Sequence, residues 1–276
     1  MTIDLVFITC NRLAYTKPAL ASVLADKTEE FSLTIYDNCS TDGTVEYLRS
    51  AVNDPRIADI IFSKENKGQT AAVNEVWSRS KADLVGKLDN DCLVTPGWTR
   101  KLAEAHAEID KLGVVACWHF FEDDFDFERA RHKIETFGRH RILRHPWTCG
   151  TGVLIKLDVY ARVGPITANA MTGYWLRMAS AGYINGFYYP LILQEHMDDP
   201  KSPHSMFSRV SFEEAYRDSY GYRWAGITDM KRYMESRQQA LDNLLDGSYE
   251  ASSYTGWRGK WNRTVRRMKG LAASRR

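Results

Sequence analysis

The stretch Phe31-Ser32-Leu33-Thr34-Ile35-Tyr36-Asp37-Asn38-Cys39-Ser40-Thr41-Asp42-Gly43-Thr44 carries the chain from an apolar, β-forming run into a polar turn. Leu33, Ile35 and Tyr36 suit a buried strand. Ser40, Thr41 and Asp42 are residue types that cap a helix, and Val45, Leu48 and Val52 mark the short helix that follows. The same strand–turn–helix unit lies on either side. Before it, residues 3–8 read as a strand, Thr9-Cys10-Asn11-Arg12 as a polar turn, and Leu13, Ala19, Leu20, Val23 and Leu24 as a helical stripe. After it come strands at 57–62, 83–88 and 114–118, with helices at 68–79 and 98–109. This alternation predicts βαβ units: an α/β fold with a mainly parallel, Rossmann-like sheet flanked by helices. In such sheets ligands sit beyond the carboxyl ends of the strands. The turns at 9–12, 37–44 and 89–91 therefore share one rim.

At 276 residues, with 44% hydrophobic and 26% charged side chains, the chain is long enough for one large domain and a small appendage. No run approaches the ~18–20 apolar residues of a membrane span. Met1-Thr2-Ile3-Asp4 lacks the basic start of a signal peptide. The five cysteines, Cys10, Cys39, Cys92, Cys117 and Cys149, are widely spaced with no C-x-x-C pair. That pattern opposes a disulfide framework or a structural zinc and fits reduced thiols in the cytoplasm. The net charge of +2 conceals an asymmetry: residues 257–276 hold eight Lys/Arg and no acid, leaving 29 basic and 35 acidic side chains before them. A polyanionic surface therefore concerns the tail, not the body.

Beyond residue 120 the pattern loosens. Glu122 to Glu128 reads as an exposed acidic and aromatic loop, and Thr148-Cys149-Gly150-Thr151-Gly152 as a run of small residues entering a strand at 153–155. Residues 171–181 and 228–245 have helical periodicity, 183–193 is apolar and aromatic, and 196–209 has no regular period.

Three constellations carry chemistry. Asp89-Asn90-Asp91 places two carboxylates one residue apart after a buried strand. Mg²⁺ and Mn²⁺ commonly share one or two such carboxylates with substrate phosphates, although D-x-D alone is more often a solvated turn. Asp37 stands before the helix cap, at a strand end, where a carboxylate can accept hydrogen bonds from a base or ribose. Asn66-Lys67-Gly68 enters a helix containing Asn74, and Gly68 lets backbone approach a ligand closely.

In this order and spacing the motifs resemble the inverting family 2 glycosyltransferases of GT-A fold. That family opens on a Thr-x-Asn-Arg-like turn, matched by Thr9 to Arg12. It continues with Asp-Asn/Asp-x-Ser-x-Asp-Gly-Thr, matched by Asp37 to Thr44, and Asn-x-Gly leading to a helical Asn, matched by Asn66, Gly68 and Asn74. The D-x-D follows at Asp89-Asn90-Asp91, then a Pro-Gly-Trp turn at Pro96-Gly97-Trp98. The resemblance implies a GT-A domain over 1–210, with a nucleotide-sugar-binding half (1–118) and an acceptor-binding half (119–210). A helical extension with a basic amphipathic tail (211–276) follows. It implies that Thr9, Asn11, Arg12, Asp37, Asn38, Asn66, Gly68, Asn74, Asp89 and Asn90 bind the donor. Asp91, Asp89 and His196 would hold Mn²⁺ or Mg²⁺, and Trp147, Gly150, Thr151 and Gly152 would face the acceptor.

The implied reaction moves a sugar from a nucleotide-diphosphate-sugar, UDP-linked by preference, to a glycan or lipid-linked hydroxyl. The metal stabilises the leaving diphosphate, and a general base activates the hydroxyl. Here the sequence departs from the family. The acidic pair expected before Arg177 and Gly182-Tyr183 is replaced by Ala170 and Met171. Glu195, Asp198 and Asp199 are then the nearest base candidates. A vacant base position also fits a non-catalytic nucleotide-sugar binder, and the same donor half could serve a protein or nucleic-acid acceptor. A sugar nucleotidyltransferase is disfavoured, because Thr9 to Arg12 lacks a Gly-rich basic loop. In the tail, Trp257, Trp261, Val265 and Met268 share one sector of a helical wheel amid arginines. That pattern suits a peripheral helix at the inner membrane face or a stripe packed on the domain; Gly259 and Gly270 weaken the helix.

Overall fold

The computed structural model describes the chain except for Glu29, 51–52, 168–170, Arg209, 219–221, 223–225, Arg258 and 260–276. Its centre is a nine-stranded sheet of order β3-β2-β1-β4-β9-β6-β10-β8-β7. The strands are β1 (Ile3–Thr9), β2 (Ser32–Asp37), β3 (Ile57–Phe62), β4 (Leu84–Asp89), β6 (Leu112–Ala116), β7 (Ile134–Phe137), β8 (His140–Arg144), β9 (Val153–Lys156) and β10 (Ile184–Tyr189). Seven of them share one direction; β9 and β8 oppose it. β5 (Cys92–Val94) and β11 (Gln194–His196) form a separate antiparallel pair.

The alternation along each strand explains the layers. In β1, Ile3, Leu5 and Phe7 face one core with α1 (Leu13–Ala25) and α4 (Trp98–Glu108), while Val6 and Ile8 face the other. That second core holds Trp77 of α3 (Gln69–Trp77) and Tyr160, Trp175 and Met178 from the later helices. A strand buried on both faces reads as a continuous apolar run rather than as alternation. The expected βαβ order over 3–118 is therefore observed, with β6 two residues earlier than the sequence suggested.

Three expectations change in detail. Residues 153–156 do form a strand, but it inserts antiparallel between β4 and β6. The expected loop at 122–128 contains a 3₁₀ turn (Glu122–Asp124) and the start of a short helix (Phe127–Ala130). The helix expected at 228–245 spans Met230–Asp246, capped by Asp229, which accepts the Arg232 N–H at 2.9 Å. Leu241, Leu244 and Leu245 of that helix join the second core, so this part of the extension is packed on the domain. No helix among the described residues is long and apolar enough to cross a membrane. The basic tail from Lys260 onward lies outside the described residues.

Candidate active site

The rim turns meet because the strands run in step: Thr9 pairs with Asp37 and Ile8 with Asp89. Asn11 and Arg12 have φ of 56° and 61°, a region that residues with a Cβ enter only when contacts hold them there. Those contacts are present. The Asn11 N–H donates to Ser40 Oγ at 2.7 Å, and Asn11 Oδ1 accepts the Thr41 N–H at 2.7 Å. Asn90 locks the third turn to the first: its amide donates to Thr9 Oγ1, Asn11 O and Thr16 Oγ1 at 3.0–3.1 Å. Asn38 locks the fourth, donating to Asn66 Oδ1 at 2.8 Å and accepting the Lys67 N–H at 2.9 Å.

These turns border a cavity of about 580 Å³. Asn11, Arg12, Asn38, Asn66, Gly68, Asp89, Asn90 and Asp91 line it from the N-terminal half. His119, His196, Asp198, Asp199, Tyr222, Tyr233 and Arg237 line it from the rest of the chain. Gly68, at φ 76°, has open space where a Cβ would stand. The volume matches an ordinary small-molecule site.

Charge is concentrated on this cavity. Arg12 donates to Asp91 Oδ2 at 3.3 Å and to Asp198, and its guanidinium lies 4.3 Å over the Tyr15 ring. Burial alone lowers the Arg12 pKa, but Asp198 and Asp91 raise it above its ordinary value. Burial likewise works against ionising Asp91, yet His196 and Arg12 outweigh it and hold the carboxyl below the usual range. Asp89 is pushed upward by burial, against Lys87, whose Nζ donates to both of its oxygens at 2.6 Å. Because both oxygens accept, Asp89 is a carboxylate in this arrangement. Burial and the neighbouring His196 and Arg237 push His119 down to about 3, so its imidazole is neutral at ordinary pH.

A divalent cation is the group the sequence implies here, and the donor set fits one. Asp91, Cys92 and His196 each bring a ligand atom within 4.8 Å of the others. The Cys92 thiol donates to Asp91 Oδ1 at 3.4 Å, and burial together with Asp91 pushes it far up, so it stays protonated. His196 Nε2 stands 4.0 Å from Asp91 Oδ2, and its Nδ1 is buried without a hydrogen-bond partner. A carboxylate and an imidazole lining this cavity suit Mn²⁺ or Mg²⁺.

Several expected residues do not line the cavity. Thr9 is fully buried, bonded to Thr16 at 2.9 Å. Asp37 is buried too: Oδ2 accepts the Ser40 N–H at 3.1 Å, while Oδ1 has no partner. Asn74 is spent on the later chain, donating to Ile166 O at 2.8 Å and accepting from Tyr160 Oη and the Ile166 N–H at 3.0 Å. Its amide clamps α3 to the later chain and does not line the cavity. Glu195 is directed away by the alternation of β11; it accepts from Ser202 and lies 2.8 Å from His204 Nδ1, beside an adjoining cavity of about 270 Å³ that shares His119, Phe120 and His196 with the first.

The acceptor-side set also moves. Trp147 packs edge-on against His145 and Tyr254, and a Cβ on Gly152 would lie 1.8 Å from Gln194 Oε1. Thr151 Oγ1 accepts the Asp89 N–H at 2.9 Å, and Gly150 O accepts from Lys87 at 2.8 Å. The antiparallel insertion of β9 beside β4 brings 150–152 against Lys87 and Asp89, and none of the four lines the cavity. Asp198 and Asp199 do line the cavity, each held by an arginine, Arg12 and Arg237 respectively. Of the replaced acidic pair, Ala170 lies outside the described residues and Met171 is buried in the core.

The sequence did not mark Lys87, His119, Tyr222, Tyr233 or Arg237 as cavity-related residues. Lys87 carried a visible signal, a lone charge inside the apolar run Leu84-Val85-Gly86-Lys87-Leu88. Tyr233 and Arg237 lie on the helix expected at 228–245, whose period shows its apolar stripe but not which residues reach a cavity formed by the distant N-terminal half.

Solved structures with this architecture share the GT-A fold. The mannosyltransferase PcManGT from Pyrobaculum calidifontis, in complex with GDP-Man and Mn²⁺, matches with a TM-score of 0.59 at 15% identity, covering 92% of this chain and 87% of that one. S. aureus TarS 1–349 in complex with UDP-GlcNAc gives 0.54 at 14% identity, over 79% of this chain and 64% of that one. The profile of Glycosyl transferase family 2 matches residues 4–160. The chain belongs to that family. Two Bacillus subtilis (strain 168) proteins are similar in part. The putative teichuronic acid biosynthesis glycosyltransferase TuaG is 30% identical over 81 residues, and the uncharacterized glycosyltransferase YfnE 30% over 109. These stretches cover 29% and 39% of this chain, and only 32% and 26% of those relatives' own lengths.

Proposed function

We propose that the chain is a metal-assisted glycosyltransferase that takes its sugar from a nucleotide-diphosphate-sugar, UDP-linked by preference. The observation that carries this reading is the cavity at the ends of β1, β2 and β4, where Asp91 and His196 stand beside the open Gly68 turn. Family membership supports it. So do neighbours of the same fold whose complexes hold GDP-Man with Mn²⁺ or UDP-GlcNAc. Asp91 and His196 would hold the cation, which when bound offsets charge on the departing diphosphate. Arg12 lies beside them as a fixed cation of the same sign.

In the transfer, an acceptor oxygen bonds to the anomeric carbon, the bond to the diphosphate oxygen breaks, and the hydroxyl proton passes to a base. Asp198 and Asp199 are the carboxylates at the cavity, but each is already paired with an arginine. That pairing favours a second reading, a nucleotide-sugar binder without transfer. A glycan or lipid-linked acceptor at the inner membrane face is our choice of substrate class. Trp257, 75% exposed where the basic tail begins, supports it.

A panel of UDP- and GDP-sugars with Mn²⁺ and Mg²⁺, scored by release of nucleoside diphosphate, tests the proposal. Asp91→Ala should lower turnover by about a hundredfold or more, the scale of removing a group that stabilises transition-state charge. Equal turnover would end the metal assignment, and tight donor binding without any release would favour the binder.

A further inference from the structure

Lys87 is fully buried at the centre of the sheet, where burying a lone ammonium costs several kcal/mol unless it is paired and hydrogen-bonded. Its three N–H donors are all used. Two reach the Asp89 oxygens at 2.6 Å each, and one reaches the Gly150 carbonyl at 2.8 Å. The placement follows from strand geometry: Lys87 and Asp89 are two residues apart on β4 and so share a face. The antiparallel register of β9 holds the adjoining segment in place, with the Gly152 N–H donating to Lys87 O at 2.9 Å. The two carboxylates of the D-x-D thus have unlike surroundings. Asp89 faces an internal cation on both oxygens, while Asp91 shares its charge with cavity-lining Arg12 at 3.3 Å and His196 at 4.0 Å.

We propose that Lys87 is a positioning residue that withdraws Asp89 from the metal's ligands, leaving the cation to Asp91, His196 and the donor's diphosphate. The inference rests on the proposed function and deepens it. A divalent cation seeks net negative charge, and Lys87 cancels that of Asp89. The remaining lone pairs of Asp89 can still accept hydrogen bonds from donor hydroxyls. Metal and donor then bind as a unit: without a diphosphate, the site offers the cation only His196 and Asp91, whose charge Arg12 shares through one oxygen at 3.3 Å. The carbonyl of Gly150, bonded to the same ammonium, fixes the segment behind Asp89.

Mn²⁺ binding to the full chain without nucleotide, followed by the loss of the free-ion electron paramagnetic resonance signal, separates the cases. Asp89→Asn should leave Mn²⁺ affinity within about twofold of wild type, and Asp91→Ala should weaken it about tenfold or more. Lys87→Met should tighten Mn²⁺ about tenfold by releasing Asp89, and Lys87→Arg, which keeps the cation, should stay near wild type. A purely structural lysine would not tighten metal binding when removed. If Lys87→Met fails to fold, Asp89→Asn decides alone. A tenfold weakening in Asp89→Asn, with Asp91→Ala also weakened, would overturn the Lys87 assignment and leave the proposed function standing. Equal Mn²⁺ affinity in wild type and Asp91→Ala would overturn both.

Discussion

Across the cavity, one wall is tied by uncharged groups and the facing wall by ions. The turns at 9–12, 37–41 and 66–68 are joined by amides and hydroxyls bonding to nearby backbone, as in Asn11 with Thr41 and Asn38 with Lys67. On the far side, Arg237 joins Asp124 to Asp199, Lys201 joins Asp123 and Asp124, and Arg12 reaches Asp198 from the opposite rim. The first wall loses little when one bond is lost, because a neutral hydrogen bond contributes only about 1 kcal/mol net. The second leaves a buried charge behind, which is the costly case.

The widest test of that contrast is Arg237→Met. It leaves Asp199 and Asp124 without their shared cation, and a broken buried pair costs about 3–5 kcal/mol. Denaturant unfolding should report that loss, and donor affinity should fall with it. An unchanged midpoint would mean that the far wall is not held by its ions.

Acid should next strain the N-terminal half. His106 in α4 is fully buried, its Nε2 lies 2.8 Å from Leu154 O, and burial pushes it down to about 3 from 6.5. A group depressed in the folded state stabilises it above its unfolded pKa. That stability is lost as pH falls from 6.5 towards 3. By pH 4 the loss is about 3 kcal/mol at 1.36 per unit, and His106→Gln should flatten the acid limb of a stability–pH curve.

The third test concerns a residue that joins the two halves away from the cavity. Asn74→Ala removes three hydrogen bonds to Tyr160 and Ile166. It should cost about 2 kcal/mol by leaving buried groups unpaired, with donor affinity, measured calorimetrically, unchanged. A lost donor affinity would restore the role the sequence suggested. The smallest effect belongs to Glu195→Gln, which should leave turnover within about twofold because Glu195 sits outside the cavity.

The same contrast decides what was legible in the sequence. The neutral wall is made of short turns after strands, so Asn11, Asn38 and the D-x-D could be placed on one rim from the strand–helix alternation. Burial within that wall could not: Asp37 and Thr9 lie at the right strand ends but are covered by the turns they support. The ionic wall joins residues far apart in the chain, Arg12 to Asp198 and Asp124 to Arg237. No local period encodes such a partner. Glu195, Asp198 and Asp199 looked interchangeable as neighbouring acids, and only the strand pairing of β11 turns Glu195 away. That 150–152 bond to Lys87 and Asp89 could not be foreseen, because the direction of the strand they enter is not written in its composition.

The antiparallel strand β9 also sets an order of assembly. β4 and β6 are not neighbours; each pairs with β9 instead. During synthesis, both strands precede residues 153–156 by tens of residues, and their facing edges stay open until that segment arrives. Unpaired edges are sites of wrong association, and pairings that close long loops form slowly. The floor beneath the D-x-D is thus completed late, and the nascent chain carries two open edges, on β4 and β6, in the interval before Val153 is released.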